Sequence, residues 1–202
     1  IFHLGKGQEG GHEMGGYEGE VQVKVAGFGG QGVLSLGLVV ARAGVTAGRH
    51  VSWYPSYGPE QRGGTSNCAV ILSSEEIGSP VIHEIDILIA FNRPSLEKFT
   101  REVKAGGLIL YEATIGEFEF PDGVQAVAVP AQQIAKEAGS AKALNTVMLG
   151  VLLAHGDLEL GEGDFSAALA ETFENKPKLL DLNREVLTRG AAWARENIET
   201  EI

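Results

Sequence analysis

A strand, a glycine-dense turn and a helix are predicted in succession over residues 21–44, which read VQVKVAGFGGQGVLSLGLVVARAG. Valines alternate with other residues before the turn, and apolar residues recur at helical spacing after it. Gly27, Gly29 and Gly32 have the spacing G-x-G-x-x-G. Such a turn exposes backbone N–H groups at the positive end of a helix dipole, and the missing Cβ atoms let an anionic group come close. We call residues 27–32 the glycine turn, and it predicts a strand–turn–helix unit that can bind an anion.

A dinucleotide site would need one further residue. In dinucleotide-binding folds an Asp or Glu, about 20 residues on, ends the second strand and binds the ribose hydroxyls. The second predicted strand, HVSWYPS (residues 50–56), holds no carboxylate, and Glu60 follows only after Pro55 and Pro59. Three interpretations stay open: a free-standing NAD(P)- or FAD-dependent oxidoreductase or nucleotide-binding module, an anion site of another kind, or glycines that serve only tight packing. Gln31, a neutral donor and acceptor at the helix start, favours a polar contact with a ligand or partner.

A second glycine-rich stretch, YGPEQRGGTS, occupies residues 57–66 and is called the second loop. Its glycines and proline predict a shaped loop rather than a helix or strand. Arg62 carries a planar guanidinium, which binds phosphate or carboxylate through two parallel hydrogen bonds. If the sheet is parallel there, this loop lies close to the glycine turn, where α/β folds collect ligands. The alternative is a surface loop in which Arg62 and Glu60 form a solvated pair.

Strand-like and helix-like segments alternate along the chain, which predicts a three-layer α/β/α fold with a mixed, largely parallel sheet. Further strands are predicted in TSNCAVILSS, IDILIAF, GLILYEA and VQAVAVP. Helices are predicted in NRPSLEKFTREVKAGG, AQQIAKEAG and NTVMLGVLLAHG, and the C-terminal part is helical. TSNCAVILSSEEIGSPVI has the pattern of a hairpin, and this is why the sheet is expected to be mixed.

Breaker residues predict where several elements begin and end. Pro55 is expected to end the second strand, and Gly106 and Gly107 the helix that Asn92 caps. Pro177 is expected at a helix start. No linker divides residues 21–202, so they are predicted to form one domain. Residues 1–20 hold seven glycines and no strand or helix period, and they predict a flexible extension.

Charge and cysteine content exclude several classes of function. The net charge is −11, which argues against sequence-independent binding to nucleic-acid phosphates. The single cysteine, Cys68, excludes an intramolecular disulfide framework, a Cys-rich zinc site and a self-contained iron–sulfur cluster. Its apolar neighbours predict a core residue. No run reaches the roughly 18 apolar residues of a membrane span and no signal peptide is visible, so a cytoplasmic protein is expected. No pattern of catalytic or metal-binding residues is found, and none is predicted.

Four segments, in this order, resemble the gamma subunit of 2-oxoacid:ferredoxin oxidoreductases, the family of pyruvate-ferredoxin oxidoreductase domain III. They are VKVAGFGGQGVLSLG, SYGPEQRGGTSNCAVILSSEEIGSP, IDILIAFNRPSLEKF and NTVMLG. The family includes pyruvate, 2-oxoglutarate and 2-ketoisovalerate types. The segment YGPEQRGGTSNC is most similar to the branch of the family that uses 2-oxoglutarate or branched-chain 2-oxoacids.

The resemblance implies a subunit of an enzyme that oxidatively decarboxylates a 2-oxoacid with coenzyme A, giving acyl-CoA, CO2 and reduced ferredoxin. Thiamine diphosphate and [4Fe-4S] clusters would lie in partner subunits, and this chain would contribute to coenzyme A binding and to the subunit interface. Alpha, beta and delta subunits and ferredoxin are the implied partners, with neither nucleic acid nor a membrane. The isolated chain would be inactive. Without the other subunits, its alternative assembly would be a homodimer.

The resemblance also implies a set of cofactor-binding residues. They are Gly27, Gly29, Gly30, Gln31 and Gly32 in the glycine turn, Tyr57, Gly58, Glu60, Arg62, Gly63 and Gly64 in the second loop, and Asn145 before a helix. Glu112 stands where the family more often has an uncharged polar residue. Its carboxylate is expected to weaken anion binding if that place approaches the ligand.

Overall fold

The computed structural model describes residues 19–57 and 65–198, and for residues 2–4 and Tyr57 it describes the backbone alone. The strands are β1 (Phe2–Leu4), β2 (Glu20–Phe28), β3 (His50–Tyr57), β4 (Thr65–Ser73), β5 (Ile85–Ala90), β6 (Val103–Glu112) and β7 (Gln125–Val129). The helices are α1 (Val33–Thr46), α2 (Arg93–Phe99), α3 (Ala131–Glu137), α4 (Leu144–His155), α5 (Glu162–Thr172) and α6 (Pro177–Asn197).

The strands within the described residues form one sheet in the order β1-β3-β4-β2-β5-β6-β7. The pairs β2–β5, β5–β6 and β6–β7 are parallel, whereas β1–β3, β3–β4 and β2–β4 are antiparallel. Since β4 runs against both β2 and β3, those two strands share a direction with β5, β6 and β7. This confirms the predicted mixed, mostly parallel sheet. The carboxyl ends of these five strands meet at one edge, which we call the carboxyl edge.

The two faces of the sheet are covered unequally. One face packs against α1, α3, α4, α5 and α6 and forms the larger apolar core. The other face carries a smaller cluster, to which α2 contributes Leu96 and Phe99. The predicted three-layer arrangement is therefore confirmed, with most helices in one outer layer. Cys68 lies fully buried in the larger core, as its apolar neighbours predicted.

Local sequence signals correctly predicted where helices α2 and α6 begin. The Asn92 side chain accepts a hydrogen bond from the Ser95 N–H at 2.9 Å and caps α2, and Pro177 is the first residue of α6. Proline suits this position because its missing N–H would have no partner inside the helix. Both predictions are confirmed.

The prediction that β3 ends at Pro55 is wrong, because the strand continues to Tyr57. β1 pairs with β3 along residues 51–53, so beyond that point β3 is the edge of the described part of the sheet. An edge position tolerates proline, since no neighbour needs its missing N–H.

The helix predicted from Asn92 to Gly107 is also too long. α2 ends at Phe99, a 3₁₀ turn follows, and β6 begins at Val103, which pairs with Ile85. Gly107 lies inside this strand, where a Cβ atom would stand 2.9 Å from the Asp86 carbonyl oxygen. The glycine therefore permits close strand packing and does not end a helix.

The prediction that β4 forms a hairpin with the segment after it is wrong, because β4 forms its hairpin with the preceding strand, β3. β4 pairs with β3 from Ser66 to Ser73, whereas residues 74–84 form no strand. In the N-terminal segment, Phe2–Leu4 pair with β3, which was not predicted. Residues 1 and 5–18, on which the predicted flexible extension otherwise rests, lie outside the described residues.

Candidate functional site

The glycine turn leaves the carboxyl edge directly beside the ends of the second loop. Phe28, the last residue of β2, is paired with Thr65, and Tyr57 is paired with Ser66. Both connections therefore start at the same edge of the sheet, although β4 itself is antiparallel. Of the predicted second-loop residues, the structure describes the backbone of Tyr57. Gly58, Glu60, Arg62, Gly63 and Gly64 lie outside the described residues.

Two glycines of the turn are required by close contacts. A Cβ atom on Gly27 would stand 2.8 Å from Gln31 Oε1, and one on Gly32 would stand 2.6 Å from Asn145 Cγ. Gly32 also has φ +77°, a left-handed conformation that side-chain-bearing residues rarely adopt. Gly29 and Gly30, by contrast, are exposed at the tip of the turn. The base of the turn is thus packed by neighbouring amide side chains, and its tip is open.

Gln31 is held inside the turn by its carboxamide. Its Oε1 accepts hydrogen bonds from the Phe28 N–H at 2.7 Å and from Asn92 Nδ2 at 3.2 Å. Its Nε2 donates to the Phe91 carbonyl oxygen at 3.2 Å. Gln31 therefore joins the end of β2 to the segment that follows β5. The ligand contact predicted for this side chain stays a prediction.

Asn145 braces the other end of the turn. It lies inside the first turn of α4, not before the helix, and its Nδ2 donates to the Gly32 carbonyl oxygen at 3.3 Å. The next residue, Thr146, is buried and its hydroxyl donates to Asn183 of α6. The glycine turn is consequently tied through α4 to the C-terminal helix.

The first turn of α1 begins at the glycine turn and has no side-chain cap. Gly32 is the N-cap, and no acidic residue lies in the first helical turn. The first N–H groups of a helix lack intrahelical acceptors and carry the positive end of its dipole. The electrostatics at the start of α1 therefore favour an anion, in spite of the chain's net charge of −11.

Glu112 ends β6 at the same edge, but its carboxylate is already satisfied. The residue is 3% exposed. Oε2 accepts from the Thr114 N–H at 2.8 Å and from the Thr114 hydroxyl, and Oε1 accepts from the Gln132 N–H at 3.2 Å. The carboxylate thereby caps the first turn of α3. Within the described residues its hydrogen bonds all lie on the β6 and β7 side of the edge.

A cleft of about 480 Å³ opens beside Glu112. It is lined by Glu112, Ala113, Thr114, Pro130, Gln132, Gln133, Lys136 and Glu137. The sequence patterns did not predict it, because its walls come from two segments some 20 residues apart. Asn92 was also missed as a site residue. Its position after a strand that ends at the carboxyl edge is the signal that could have found it.

Among residues 19–57 and 65–198, no group of three or more His, Cys, Asp or Glu side chains is arranged to hold a metal ion. None of the helices described there is both long and apolar enough to cross a bilayer.

Comparison with known proteins decides the family. The sequence pattern of the family described as Pyruvate ferredoxin/flavodoxin oxidoreductase matches residues 22–193. This chain belongs to that family. The resemblance predicted from the glycine turn, the second loop and the two later segments is therefore confirmed.

Curated relatives in this oxidoreductase family are subunits of 2-oxoacid oxidoreductases. Ketoisovalerate oxidoreductase subunit VorA of Methanothermobacter marburgensis is 52% identical over 182 residues, covering 90% of this chain and 38% of VorA. VorA of Methanothermobacter thermautotrophicus is 54% identical over 183 residues, covering 91% of this chain and 38% of VorA. 2-Oxoglutarate synthase subunit KorC of M. marburgensis is 35% identical over 139 residues, covering 65% of this chain and 75% of KorC. The chain thus spans less than half the length of the VorA relatives.

Solved structures of family members have the same fold. The 2-oxoglutarate:ferredoxin oxidoreductase from Magnetococcus marinus, with 2-oxoglutarate, coenzyme A and succinyl-CoA bound, has a TM-score of 0.81 and 30% identity. That match covers 91% of this chain and 32% of the other. The gamma subunit of a keto/oxoacid ferredoxin oxidoreductase from Geobacter sulfurreducens has a TM-score of 0.72 and 25% identity, covering 87% of this chain and 99% of the other.

Proposed function

We propose that this chain is the gamma subunit, or gamma module, of a CoA-dependent 2-oxoacid:ferredoxin oxidoreductase. The enzyme converts a 2-oxoacid and coenzyme A to acyl-CoA and CO2 and reduces ferredoxin. The observation that carries the proposal is the open glycine turn at the uncapped start of α1, in a chain that belongs to this family. The identities of 52% and 54% to VorA, against 35% to KorC, favour a branched-chain 2-oxoacid over 2-oxoglutarate.

Within the enzyme we assign coenzyme A binding and an interface role to this chain. Coenzyme A carries several phosphate charges, and backbone N–H groups at the start of a helix are suited to such groups. Gly29 and Gly30 leave the tip of the turn open. The residues that flank the second loop, whose sequence contains Arg62, lie at the same edge of the sheet. The Magnetococcus marinus relative, which has this fold, contains bound coenzyme A.

Thiamine diphosphate and the [4Fe-4S] clusters are assigned to partner subunits. A cluster needs about four thiolates, and Cys68, the single cysteine, is buried in the core with its pKa raised to about 12 by desolvation. Alpha, beta and delta subunits and ferredoxin are therefore the proposed partners.

The test is to co-express this chain with its genomic alpha, beta and delta partners and to purify the complex through a tag on this chain. We expect viologen reduction that needs coenzyme A and is faster with 2-ketoisovalerate than with 2-oxoglutarate or pyruvate. Failure to co-purify a thiamine-binding partner, or activity that is independent of coenzyme A, would refute the proposal.

Arg62→Ala tests the role of the second loop. We expect the KM for coenzyme A to rise by a factor that corresponds to about 1–3 kcal/mol of binding free energy, because a charge-assisted hydrogen bond is lost. Arg189→Ala is the control, since Arg189 is half exposed and pairs with Glu185 on the surface of α6. An Arg62→Ala complex with unchanged assembly and KM would remove Arg62 from the site.

A further inference from the structure

The carboxamide of Gln31 connects the glycine turn to a second structural unit. One flank is the end of β2, whose Phe28 N–H donates to Oε1 at 2.7 Å. The other flank is the segment after β5, which offers the Phe91 carbonyl oxygen and Asn92 Nδ2, each at 3.2 Å. Both polar atoms of the side chain are therefore engaged inside the protein.

Asn92 is itself fixed by the start of α2. Its Oδ1 accepts from the Ser95 N–H at 2.9 Å while its Nδ2 donates to Gln31, and the residue is 8% exposed. A buried amide that makes both bonds has a defined orientation, and it transmits that orientation to Gln31. The glycine turn is thus held against α2 through two side chains.

The space inside the turn is filled by the same carboxamide. Gln31 Oε1 stands where a Cβ atom on Gly27 would come within 2.8 Å of it. Without this side chain, the Phe28 N–H and the Phe91 carbonyl would lose the acceptor and the donor that the structure gives them. The conformation of residues 27–32 therefore depends on Gln31.

We propose that Gln31 is a positioning residue for coenzyme A, with Asn92 as its support. Gln31 holds the backbone N–H groups of the glycine turn in place for an anionic group of coenzyme A and makes no contact with the reacting atoms. This proposal rests on the proposed function above. In this proposal Gln31 orients the turn that binds the ligand, whereas its sequence position suggested that its side chain contacts the ligand directly.

The test compares Gln31→Ala, Asn92→Ser and the double variant in the purified complex. Serine keeps a side-chain oxygen that can cap α2 but cannot donate as Asn92 Nδ2 does across the same distance. We expect Gln31→Ala to raise the KM for coenzyme A on the order of tenfold, with kcat at saturating coenzyme A nearly unchanged. Asn92→Ser should raise the same KM less, and the double variant should match Gln31→Ala, since the two residues act in one chain of contacts.

Gln22→Ala is the matched control. Gln22 lies near the amino end of the same strand, where its side chain bonds to Glu20 and to the His83 N–H. The KM for coenzyme A should not change in this variant.

Three results would overturn the proposal: an unchanged KM in Gln31→Ala, fully additive effects of the two substitutions, or a loss of kcat with no change in KM. A wild-type complex without coenzyme A dependence would instead refute the proposed function, so the two failures are distinguishable. Thermal melting of each complex shows whether a variant has lost folded protein.

Discussion

Gly32→Ala should destabilise the protein more than backbone strain alone explains. Gly32 and Gly48 stand at opposite ends of α1, and both have φ +77°. An alanine at either position must adopt a left-handed conformation, at a cost of about 1–2 kcal/mol. At Gly48 a Cβ atom would meet nothing within 4 Å. Gly48→Ala therefore measures the strain without a contact.

At Gly32 the new Cβ atom would also collide with Asn145. It would lie 2.6 Å from both Cγ and Nδ2, closer than real Cβ contacts. The Asn145 side chain would have to rotate and lose its 3.3 Å hydrogen bond to the Gly32 carbonyl oxygen. That bond is worth about 0.5–1.5 kcal/mol, and repacking adds a further cost of about 1 kcal/mol. We expect a loss of about 3 kcal/mol for Gly32→Ala, against about 1 kcal/mol for Gly48→Ala.

Urea unfolding of both variants, followed by circular dichroism, measures this difference. Asn145→Ala in the Gly32→Ala background should recover part of the lost free energy of unfolding, because it removes the collision. Equal destabilisation of the two glycine variants, or no recovery in the double variant, would show that the contact with Asn145 is not what requires a glycine here.

Two further predictions concern buried groups. Glu112→Gln should lower the free energy of unfolding by about 1–3 kcal/mol, since an amide cannot accept hydrogen bonds from both Thr114 and Gln132 as the carboxylate does; an unchanged urea midpoint would contradict this. Cys68 should resist iodoacetamide at pH 8 in the native protein and react in urea, because desolvation raises the pKa of its thiol to about 12. Its pKa is higher in the folded than in the unfolded chain, so its contribution to stability is complete below pH 9 and is lost as the pH rises from about 9 towards 12. Rapid native alkylation, seen by intact mass, would show that the thiol is accessible.

Much of the fold could be read from local patterns. The alternating valines of β2, the apolar period of α1, the cap at Asn92 and the proline that begins α6 act over a few residues, and the structure confirms each of them. The family followed from the same local segments, because the glycine turn and the later motifs keep their order along the chain. These features need no knowledge of distant neighbours.

The ends of α2 and β3 depend on pairing with strands that are distant in sequence, which local patterns do not reveal. The helix begun at Asn92 is cut short at Phe99 because Val103 pairs with Ile85 in the sheet. β3 continues past Pro55 because β4 pairs with it there. In each case strand pairing outweighed the local preference, since a strand gains hydrogen bonds along its whole length.

The sequence by itself determined that a glycine-rich turn joins a strand to a helix, and which family has such a turn. Only the tertiary structure decided which hydrogen bonds the polar side chains at the carboxyl edge make. Gln31 was expected to contact a ligand or partner, and Glu112 to weaken anion binding if its place approaches the ligand. In the structure Gln31 donates to a carbonyl group 60 residues away, and Glu112 accepts from an N–H group 20 residues away. The physical reason is that a buried amide or carboxylate must find hydrogen-bond partners, and those partners are defined by how the strands and helices meet.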